Sequence, residues 1–508
     1  MYYRQLPSRF VQRAFNTKRF LDKFNTKRFL DNLGDRVKGA TVWEVVTAAL
    51  MAVVGFYFAA LSVEMHQSLA TSAYDFGLYD QGIWLLSRFH NPFVTLMGRY
   101  LFGDHTSFIL LFLVPIYWII GSTSTLFVIQ SIAIVAGAVP IFLFTRNRLD
   151  SEAMATVFVA AYLLHPATVW IALENFHPDA FLGVFIATAL YAAFESKWRM
   201  YTVAVLLAMS VKEDVALILI PLGAWVAWRK QLKIGLFTVL VSFWYSVLAV
   251  FGIQRGINGV PFRNGWRIPF GGVQGTIATL FTDPMALVKY FVSDSRPFYV
   301  LQLVAPVAFG FVVFPEVAAI AGLVIFTNIF SNFWYQYHIE YHYSFVVVPV
   351  LVIGTVFAIA RLRKKLRRIL VLFCALSTLI CAYLWSPLPG ARTQVSYNGS
   401  SNPVVIAARV ALSKIPDDAV VTAYHPLTAH LARRERIYAF PVPFKRALYG
   451  MDAFASGDIL PFTNDIEFVV LPVAMDEGMQ KTWREVSAQF AISYANEWWI
   501  VYQRKIAG

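Results

Sequence analysis

Charged side chains are scarce in this sequence, and cysteine is almost absent. Only 14% of the 508 residues are Asp, Glu, Lys or Arg and 58% are hydrophobic, whereas soluble domains carry roughly 25% charged residues. This balance excludes a soluble globular protein and predicts a polytopic membrane protein. The only two cysteines, Cys374 and Cys381, fall in the last hydrophobic run, where we expect buried packing and no structural disulfide.

The net charge of +13 comes from two basic blocks. The first 38 residues hold ten Lys or Arg and three Asp, and six more Lys or Arg lie between Arg361 and Arg368. Cytoplasmic flanks beside anionic lipid explain both blocks, so we expect no nucleic-acid partner. The first block repeats FNTKRFLD at 15–22 and 24–31. We interpret the repeat as a duplication in a loosely held tail, with a membrane-surface helix as the alternative.

The remaining charges sort by sign along the chain. Because loops rich in Lys and Arg stay in the cytoplasm, the alternate loops, which carry carboxylates and histidines, are predicted to lie outside. This distribution predicts an enzyme of the plasma membrane with an extracytoplasmic active site. The basic loops contain Arg146/Arg148, Lys197/Arg199, Arg229/Lys230/Lys233 and Arg361 to Arg368, and the others contain Asp75/Asp80, Asp104/His105, Glu174/His177/Asp179, Lys212/Glu213/Asp214 and His338/Glu340/His342.

Hydropathy predicts about eleven transmembrane helices, with the N-terminus inside and the C-terminus outside. Residues 105–120 are also apolar, but a crossing there would reverse the side of every later basic loop, so we expect an amphipathic or re-entrant segment. In the fifth span, residues 200–210 cover roughly 16 Å, about half the hydrocarbon thickness. The predicted spans are 41–63, 122–145, 152–168, 179–195, 199–211, 214–229, 233–253, 298–313, 316–331, 343–361 and 369–386.

Three regions follow from these spans. Residues 1–40 form a basic cytoplasmic tail, 41–386 a transmembrane domain, and 387–508 a small extracytoplasmic α/β domain. Two long outer segments, 64–121 and 254–297, interrupt the transmembrane domain. In the last region the patterns predict a helix at 403–414 and strands at 419–423, 437–440, 467–471 and 498–503.

The first outer segment carries two acidic motifs. The stretch YDFGLYDQGIW at 74–84 places Asp75 before a short helix with Asp80. Asp75 either takes a proton from an attacking hydroxyl or caps that helix. Asp104, followed by His105, either holds a metal or orients a substrate, or it caps a helix at 106.

Two further motifs lie between later spans. Glu174 and His177 share a face if helical, and with Asp104 they could form a metal or acid–base cluster; a solvated loop is the alternative. Lys212, next to Glu213, is predicted to lie at membrane depth, where ionisable groups are usually functional. It either binds a lipid-linked phosphate or pairs structurally with Glu213.

The last two motifs are an aromatic–histidine segment and a basic outer segment. His338, Glu340 and His342 alternate in YHIEYHY, which predicts either metal ligands on one extended face or a rim that contacts phosphate or sugar. The segment 254–297 is basic although it lies outside, so it either binds an anionic lipid headgroup or is a solvated surface. Its cations are Arg255, Arg263, Arg267, Lys289 and Arg296.

Together these features resemble the GT-C superfamily of membrane glycosyltransferases. The stretches YDFGLYDQGIW, GDH, ENFHPDA, SVKED, YHIEYHY and IPDDAVVTAYHPLTAHLARRERIY are similar to a large family of predicted bacterial and archaeal membrane proteins assigned to that superfamily. The resemblance covers roughly residues 41–508. It implies transfer of a sugar from a polyprenyl-phosphate carrier to an acceptor hydroxyl on the outer face, with a glycan, lipid or protein as the acceptor.

The resemblance also implies residue roles. Asp75 is the expected catalytic carboxylate, with Asp80 as its competitor, and the C-terminal domain helps to bind the acceptor. The first outer segment lacks an Asp-x-Asp or Asp-Glu pair, so no cofactor is predicted with certainty and a divalent cation is the open alternative. Residues expected near the donor phosphate are Lys212, Glu213, Arg263, Arg267, His338 and His342, and those expected at substrate or metal are Asp104, His105, Glu174, His177 and Glu340.

A transporter or lipid-linked sugar flippase is the alternative function. In that case the membrane-embedded ionisable groups would form a substrate or proton path. Against it, the acidic groups gather on one side of the membrane, and the two halves of the sequence show no inverted repeat. A membrane enzyme therefore remains the main prediction.

Overall fold

The computed structural model describes residues 39–259, 263–447, 451 and 454–505. The chain divides into two compact units, residues 1–49 and 50–508. In the first unit, a helix begins at Val42, and Thr41 and Glu44 bond each other's backbone amides at 3.1 and 3.2 Å. This reciprocal capping box satisfies two amides at the helix start. The repeated FNTKRFLD segments lie outside the described residues.

Helices make up most of the part of the chain that is predicted to be the transmembrane domain. They are α1 Val42–Gln67, α2 Leu78–Ser87, α3 Leu101–Asp104, α4 Val114–Ile119, α5 Thr125–Ala136, α6 Ala138–Leu149, α7 Glu152–Leu163, α8 Pro166–Leu173, α9 Leu182–Phe194, α10 Trp198–Met209, α11 Ala216–Arg229, α12 Leu232–Val247, α13 Arg255–Asn258, α14 Val273–Thr282, α15 Pro284–Val292, α16 Arg296–Val304, α17 Gly322–Phe330, α18 Val348–Ile359 and α19 Lys364–Trp385. The C-terminal region adds α20 Pro403–Leu412, α21 His425–Thr428 and α22 Glu477–Val486.

Five helices of the described chain are long and apolar enough to cross a membrane. A sixth crossing is formed if α7 and α8, which are bent by 50° at their junction, count as one span. All six coincide with predicted spans, and the other predicted spans correspond to shorter helices, so the total of eleven stays a prediction. The long helices are Val42–Gln67, Thr125–Leu149, Leu232–Asn258, His342–Ile359 and Lys364–Trp385.

Two short apolar segments have the lengths that the sequence predicts. Phe108–Ile119 consists of a 3₁₀ turn followed by α4, and its 12 residues are too short for a full crossing. The fifth predicted span becomes α10, a 12-residue helix of roughly 18 Å. Its early end leaves Lys212 and the residues after it close to the first outer segment.

The predicted basic outer segment 254–297 is largely helical. It contains α13, α14 and α15, and α16 begins at Arg296. The Arg296 side chain is only 2% exposed, and it donates to the carbonyls of Ile329 and Ser331 at 2.7 and 3.1 Å. The expectation that Arg296 is solvated or binds a headgroup is therefore wrong, because its guanidinium N–H groups donate to carbonyls at the C-terminal end of α17.

A five-stranded mixed sheet dominates the C-terminal region. Its order is β4-β3-β5-β7-β6, with β3 parallel to β4 and β5, and β7 antiparallel to β5 and β6. A small antiparallel pair, β1 and β2, lies in the first outer segment. The strands are β1 Phe93–Val94, β2 Arg99–Tyr100, β3 Val421–Ala423, β4 Ile437–Ala439, β5 Phe468–Pro472, β6 Phe490–Ala495 and β7 Trp499–Arg504.

The two faces of this sheet bury different cores. Val421 and Val470 face the main core, which is continuous with the transmembrane helices. Val420, Val469 and Leu471 face a smaller second core. This alternation follows from the two-residue period of a strand, and it fixes one face of the sheet against the membrane domain.

Candidate active site

Asp75 lies in a π-helical turn, Ala73–Gly77, that precedes α2. Ser72 caps this turn by accepting a hydrogen bond from the Tyr74 amide at 3.1 Å, so the alternative in which Asp75 is the cap is wrong. The Asp75 side chain is 39% exposed, and its Oδ1 lies 3.5 Å from Nε2 of His177. An accessible carboxylate held by an imidazole is arranged to accept a proton from a bound hydroxyl.

Glu174, His177 and His342 form a compact group, which we call the Glu–His cluster. Glu174 Oε1 lies 3.4 Å from Nδ1 of His342, and Glu174 Oε2 accepts a 2.6 Å bond from the His342 amide. The two imidazole rings stack with their centres 3.9 Å apart. Asp104, the predicted third member of this cluster, instead binds Arg99 at 2.8 Å. His342 is the third member of the cluster instead, because the segment before α18 passes next to Glu174 and His177.

The cluster has the donor set of a metal site. Each of its three side chains offers one ligand atom, and these atoms lie within 4.8 Å of one another. Two imidazoles and one carboxylate are a ligand set of catalytic zinc sites. Nδ1 of His177 is buried and has no hydrogen-bond partner among the described residues. An orphaned ring nitrogen that faces a carboxylate at 3.9 Å fits a site for a divalent cation.

Gln130 of α5 positions this cluster. Its side-chain amide donates to the carbonyls of Ile171 and Asn175 at 3.0 and 2.7 Å, and its Oε1 accepts from the His177 amide at 2.8 Å. Asn175 has a φ of 141°, which is costly for a non-glycine residue. Its side chain accepts from the Ser72 amide at 2.9 Å. The segment therefore binds both α5 and the turn that carries Asp75.

In this cluster the pKa values of Glu174 and His177 are raised, whereas burial and the charge of His177 lower the pKa of His342. Burial raises the pKa of Glu174 to about 8, the His177 imidazole opposes this shift, and the negative charge of Asp75 adds to it. Burial lowers the pKa of His177, but Glu174 and Asp75 outweigh that effect, so the net pKa is raised. The raised pKa of His177 favours its protonated form, whose Nε2–H faces the carboxylate of Asp75.

A cavity of about 440 Å³ begins at Tyr343, whose ring lies 4.1 Å from the ring of His342. One part of its wall is apolar and the other is charged, as an amphiphilic ligand requires. The apolar wall includes Leu182, Leu217, Ile218, Val250, Val324, Phe330 and Val346, and the charged wall includes Asp104, His105, Asp179, Lys212, Glu213, Asp214 and Arg267.

Two cations lie near Tyr343 in the wall of this cavity. The Lys212 ammonium lies 5.3 Å from the centre of the Tyr343 ring, and the Arg267 guanidinium lies 5.9 Å from it. Lys212 is 5% exposed and pairs with Asp179 at 3.6 Å and Asp214 at 3.7 Å. Burial lowers the pKa of Lys212, but these two carboxylates raise it well above its ordinary value. Lys212 therefore keeps its charge.

Glu213 does not pair with Lys212 as the structural alternative predicts. Its carboxylate lies 2.7 Å from Nδ1 of His105 and accepts from the Thr106 amide at 3.1 Å. Burial opposes ionisation of Glu213, but His105 outweighs this and lowers its pKa. The pair closes the cavity wall and leaves Lys212 to its aspartate partners.

Several predicted residues lie elsewhere. Asp80 is completely buried, accepts from Tyr117 at 2.7 Å and forms an ion pair with Arg433 at 3.0 Å. His338 binds Ser295 Oγ and the Trp334 carbonyl, so the prediction that it shares one ligand face with Glu340 and His342 is wrong. Glu340 is partly buried outside the cluster. The side chain of Arg263 lies outside the described part of the chain.

The sequence interpretation missed His425. This residue begins α21 in the C-terminal region, and its ring centre lies 4.9 Å from that of Tyr74. The charge of Asp75 acts on His425 and raises its pKa, although burial lowers it more strongly. The motif YHPLTAH does contain His425, but nothing in this motif indicates that the histidine contacts Tyr74, which is far upstream in the sequence.

The charged groups converge although they come from distant segments. The charges of Lys212, Asp179, Asp104 and Asp75 all act on the buried Tyr79 of α2. Asp75, Asp179 and His177 likewise act on Glu174. Direct contacts also link the cavity wall to Asp75: Tyr343 of the wall contacts His342, His342 stacks on His177, and His177 lies 3.5 Å from Asp75.

The model of one protein family matches residues 65–505 of the chain, and its description is "Predicted membrane protein (DUF2079)". This chain belongs to that family. No protein of curated function matches the sequence.

Two crystal structures of ArnT from Cupriavidus metallidurans have a similar fold. The structure bound to undecaprenyl phosphate has a TM-score of 0.52 and 12% identity, and the match covers 91% of this chain and 98% of that chain. The apo structure has a TM-score of 0.51 and 13% identity, with 91% and 97% covered. The DUF2079 chain therefore shares the fold of these two ArnT structures.

Proposed function

We propose that this protein is a glycosyltransferase that moves a sugar from a polyprenyl-phosphate-linked donor to an acceptor hydroxyl. We assign the reaction to the outer face of the plasma membrane, in the assembly of envelope glycans or glycoconjugates. The observation that carries the proposal is an amphiphilic cavity with two cations in its wall, which is linked to the accessible carboxylate of Asp75 by the contacts of Tyr343 with His342, of His342 with His177 and of His177 with Asp75. The similar fold of ArnT, which was crystallised with undecaprenyl phosphate, supports this class of donor.

The cavity fits the two halves of such a donor. The apolar wall receives the first part of the prenyl chain, which loses its contact with water there. Lys212 and Arg267, which lie 5.3 and 5.9 Å from the centre of the Tyr343 ring, receive the phosphate. Arg offers a planar fork and Lys a point charge to phosphate oxygens.

The chemistry is a single displacement. Asp75 takes the proton of the acceptor hydroxyl, whose oxygen then attacks the anomeric carbon of the sugar. The bond between that carbon and the lipid-phosphate oxygen breaks, and its electron pair leaves with the phosphate. Lys212 and Arg267 stabilise the charge that develops on this leaving group. A divalent cation held by the Glu–His cluster would add positive charge beside the same groups.

The decisive experiment compares wild-type protein with Asp75→Asn in membranes supplied with radiolabelled polyprenyl-phosphate sugars. We expect transfer to fall about 100-fold or more, since a positioned base contributes 10²–10⁴-fold. Binding of polyprenyl phosphate should be unchanged, because Asp75 lies outside the donor cavity.

Asp465→Asn is the matched control, because Asp465 is an exposed carboxylate paired with Arg436. It should transfer sugar at the wild-type rate. Equal transfer by Asp75→Asn and wild type would show that another group is the base. Failure of wild-type membranes to use any lipid-linked sugar would refute the proposed function itself.

A further inference from the structure

A second cavity, of about 760 Å³, lies outside the candidate active site. Its walls come from α2 and the segment around Trp118 on one side, and from the C-terminal region near Asp417 and Glu435 on the other. Trp84 of the first wall is the last residue of the motif YDFGLYDQGIW, and the second wall belongs to the stretch IPDDAVVTAYHPLTAHLARRERIY. We call this cavity and its continuation the seam groove.

One wall of the seam groove is aromatic and held rigidly. The indole N–H of Trp118 donates to the Ser87 carbonyl at 2.8 Å, yet 57% of the residue is exposed. Phe89 stacks against its ring with centres 5.9 Å apart and an angle of 28°. Trp84 lies in the same wall, with the Arg88 guanidinium 6.0 Å from its ring centre. This wall presents fixed ring faces to whatever enters.

The opposite wall is acidic. Asp417 and Asp418 are exposed, and neither carboxylate forms a hydrogen bond or close ion pair with another described residue. Glu435 adds a third carboxylate, which lies 3.0 Å from Nδ1 of His90. Ionised carboxylates are acceptors only, so this wall can receive several hydroxyl or amino donors at once.

Arg433 and Arg434 form the floor between the two walls, and their guanidinium groups already have partners within the protein. Arg433 binds Asp80 at 3.0 Å and donates to the carbonyls of Gly121 and Ser122. The guanidinium group of Arg434 donates hydrogen bonds to the backbone carbonyls of Leu431, Pro416 and Ala419. Neither of these two guanidinium groups is free to bind an anion, so Arg433 and Arg434 offer no cation to a phosphate ligand.

The groove continues past Glu435 into a cavity of about 500 Å³. Phe93, Tyr438 and Phe462 line this extension, and the last two rings stack at 5.1 Å. In the other direction, α2 leads from Trp84 back to Asp75, roughly 13 Å away at the helical rise of 1.5 Å per residue.

We infer that the seam groove binds a saccharide chain that forms part of the acceptor. The weakly positive C–H face of a sugar ring matches the negative face of an indole. Sugar hydroxyls match the carboxylates of the acidic wall. These three carboxylates outnumber the one guanidinium in the lining that has no hydrogen-bond or ion-pair partner among the described residues, that of Arg88, which favours neutral or amino sugars over phosphorylated ones. The assignment to the acceptor rests on the proposed function, whereas saccharide binding itself does not.

The test is direct binding by the full chain in lipid nanodiscs, without any donor. The probes are N,N′,N″,N‴-tetraacetylchitotetraose, maltotetraose and glucose 6-phosphate, followed by saturation-transfer NMR and calorimetry. We expect at least one tetrasaccharide to bind and the phosphorylated sugar not to bind. Trp118→Ala, and separately the double variant Asp417→Asn/Asp418→Asn, should weaken binding about tenfold or more. Trp228→Ala, which removes another exposed tryptophan (69% exposed), should bind like wild type.

Three outcomes would overturn the inference. They are no tetrasaccharide binding by wild type, equal binding by both groove variants, and quenching of Trp118 by brominated lipids, which would assign its exposed ring to the membrane surface. Sugar transfer without saccharide binding would refute the groove and leave the proposed function standing. Saccharide binding without any transfer would refute the proposed function alone.

Discussion

Asp75 and Asp80 show how two identical side chains of one motif acquire different chemistry. The sequence places both at the membrane surface and leaves either as the base. In the fold, Asp75 is 39% exposed beside His177, whereas Asp80 is fully buried against Arg433 and Tyr117. The difference in exposure depends on residues that are distant in sequence, His177 for Asp75 and Arg433 for Asp80. Sequence reasoning could therefore predict the type of residue but not which of the two is accessible.

The Glu–His cluster predicts zinc binding that strengthens as pH rises. Glu174 must lose its proton to ligate, and burial raises its pKa to about 8, so protons compete with the metal below that pH. We expect the apparent zinc affinity, measured by calorimetry, to rise between pH 6 and 9. Glu174→Gln should weaken it at least tenfold, and Glu340→Gln should not. Equal affinity at both pH values, or in Glu174→Gln, would contradict the site.

At the scale of elements, predictions succeeded where one local pattern decides the structure. Four strands of the C-terminal sheet and α20 lie within about two residues of their predicted positions. β6 was not predicted, since only Phe490 is buried in it and the strand shows no alternation. The predicted outer segment 254–297 became helical because its apolar residues follow a helical spacing within short stretches.

The contact between α2 and the C-terminal region predicts a large stability effect at Asp80. Asp80→Asn leaves the mostly buried Arg433 (18% exposed) without its counter-charge, and breaking a buried ion pair costs about 3–5 kcal/mol. We expect the unfolding midpoint in detergent to fall accordingly, with sugar transfer per folded molecule retained. The double variant Asp80→Asn/Arg433→Met should recover much of the loss. An unchanged midpoint, or a specific loss of transfer, would make Asp80 a functional residue instead.

At the scale of the whole molecule, the sorting of charge along the sequence corresponds to a partition in space. Arg148, Lys230 and Arg361 come from three loops predicted to be cytoplasmic, and all line one cavity of about 470 Å³. Arg229 and Arg361 both pair with Glu316, at 2.8 and 3.8 Å. Asp75, Glu174, His177 and His342, which come from three of the alternate loops, meet in the candidate site instead. The charge pattern could predict this partition, but not contacts such as that of His425 with Tyr74.

This partition yields a test of orientation, because each end of the fold offers an exposed position. Ser401 lies before α20, and Lys365 lies in the basic run at the start of α19. A membrane-impermeant maleimide should label Ser401→Cys in intact cells and Lys365→Cys only after the membrane is opened. The parent chain is the control, since Cys374 and Cys381 are both buried. The reverse labelling pattern would show that the candidate site faces the cytoplasm. The available sugar donors there are sugar nucleotides and not the outward-facing lipid-linked sugars that the proposed reaction requires, so this result would contradict the proposed function.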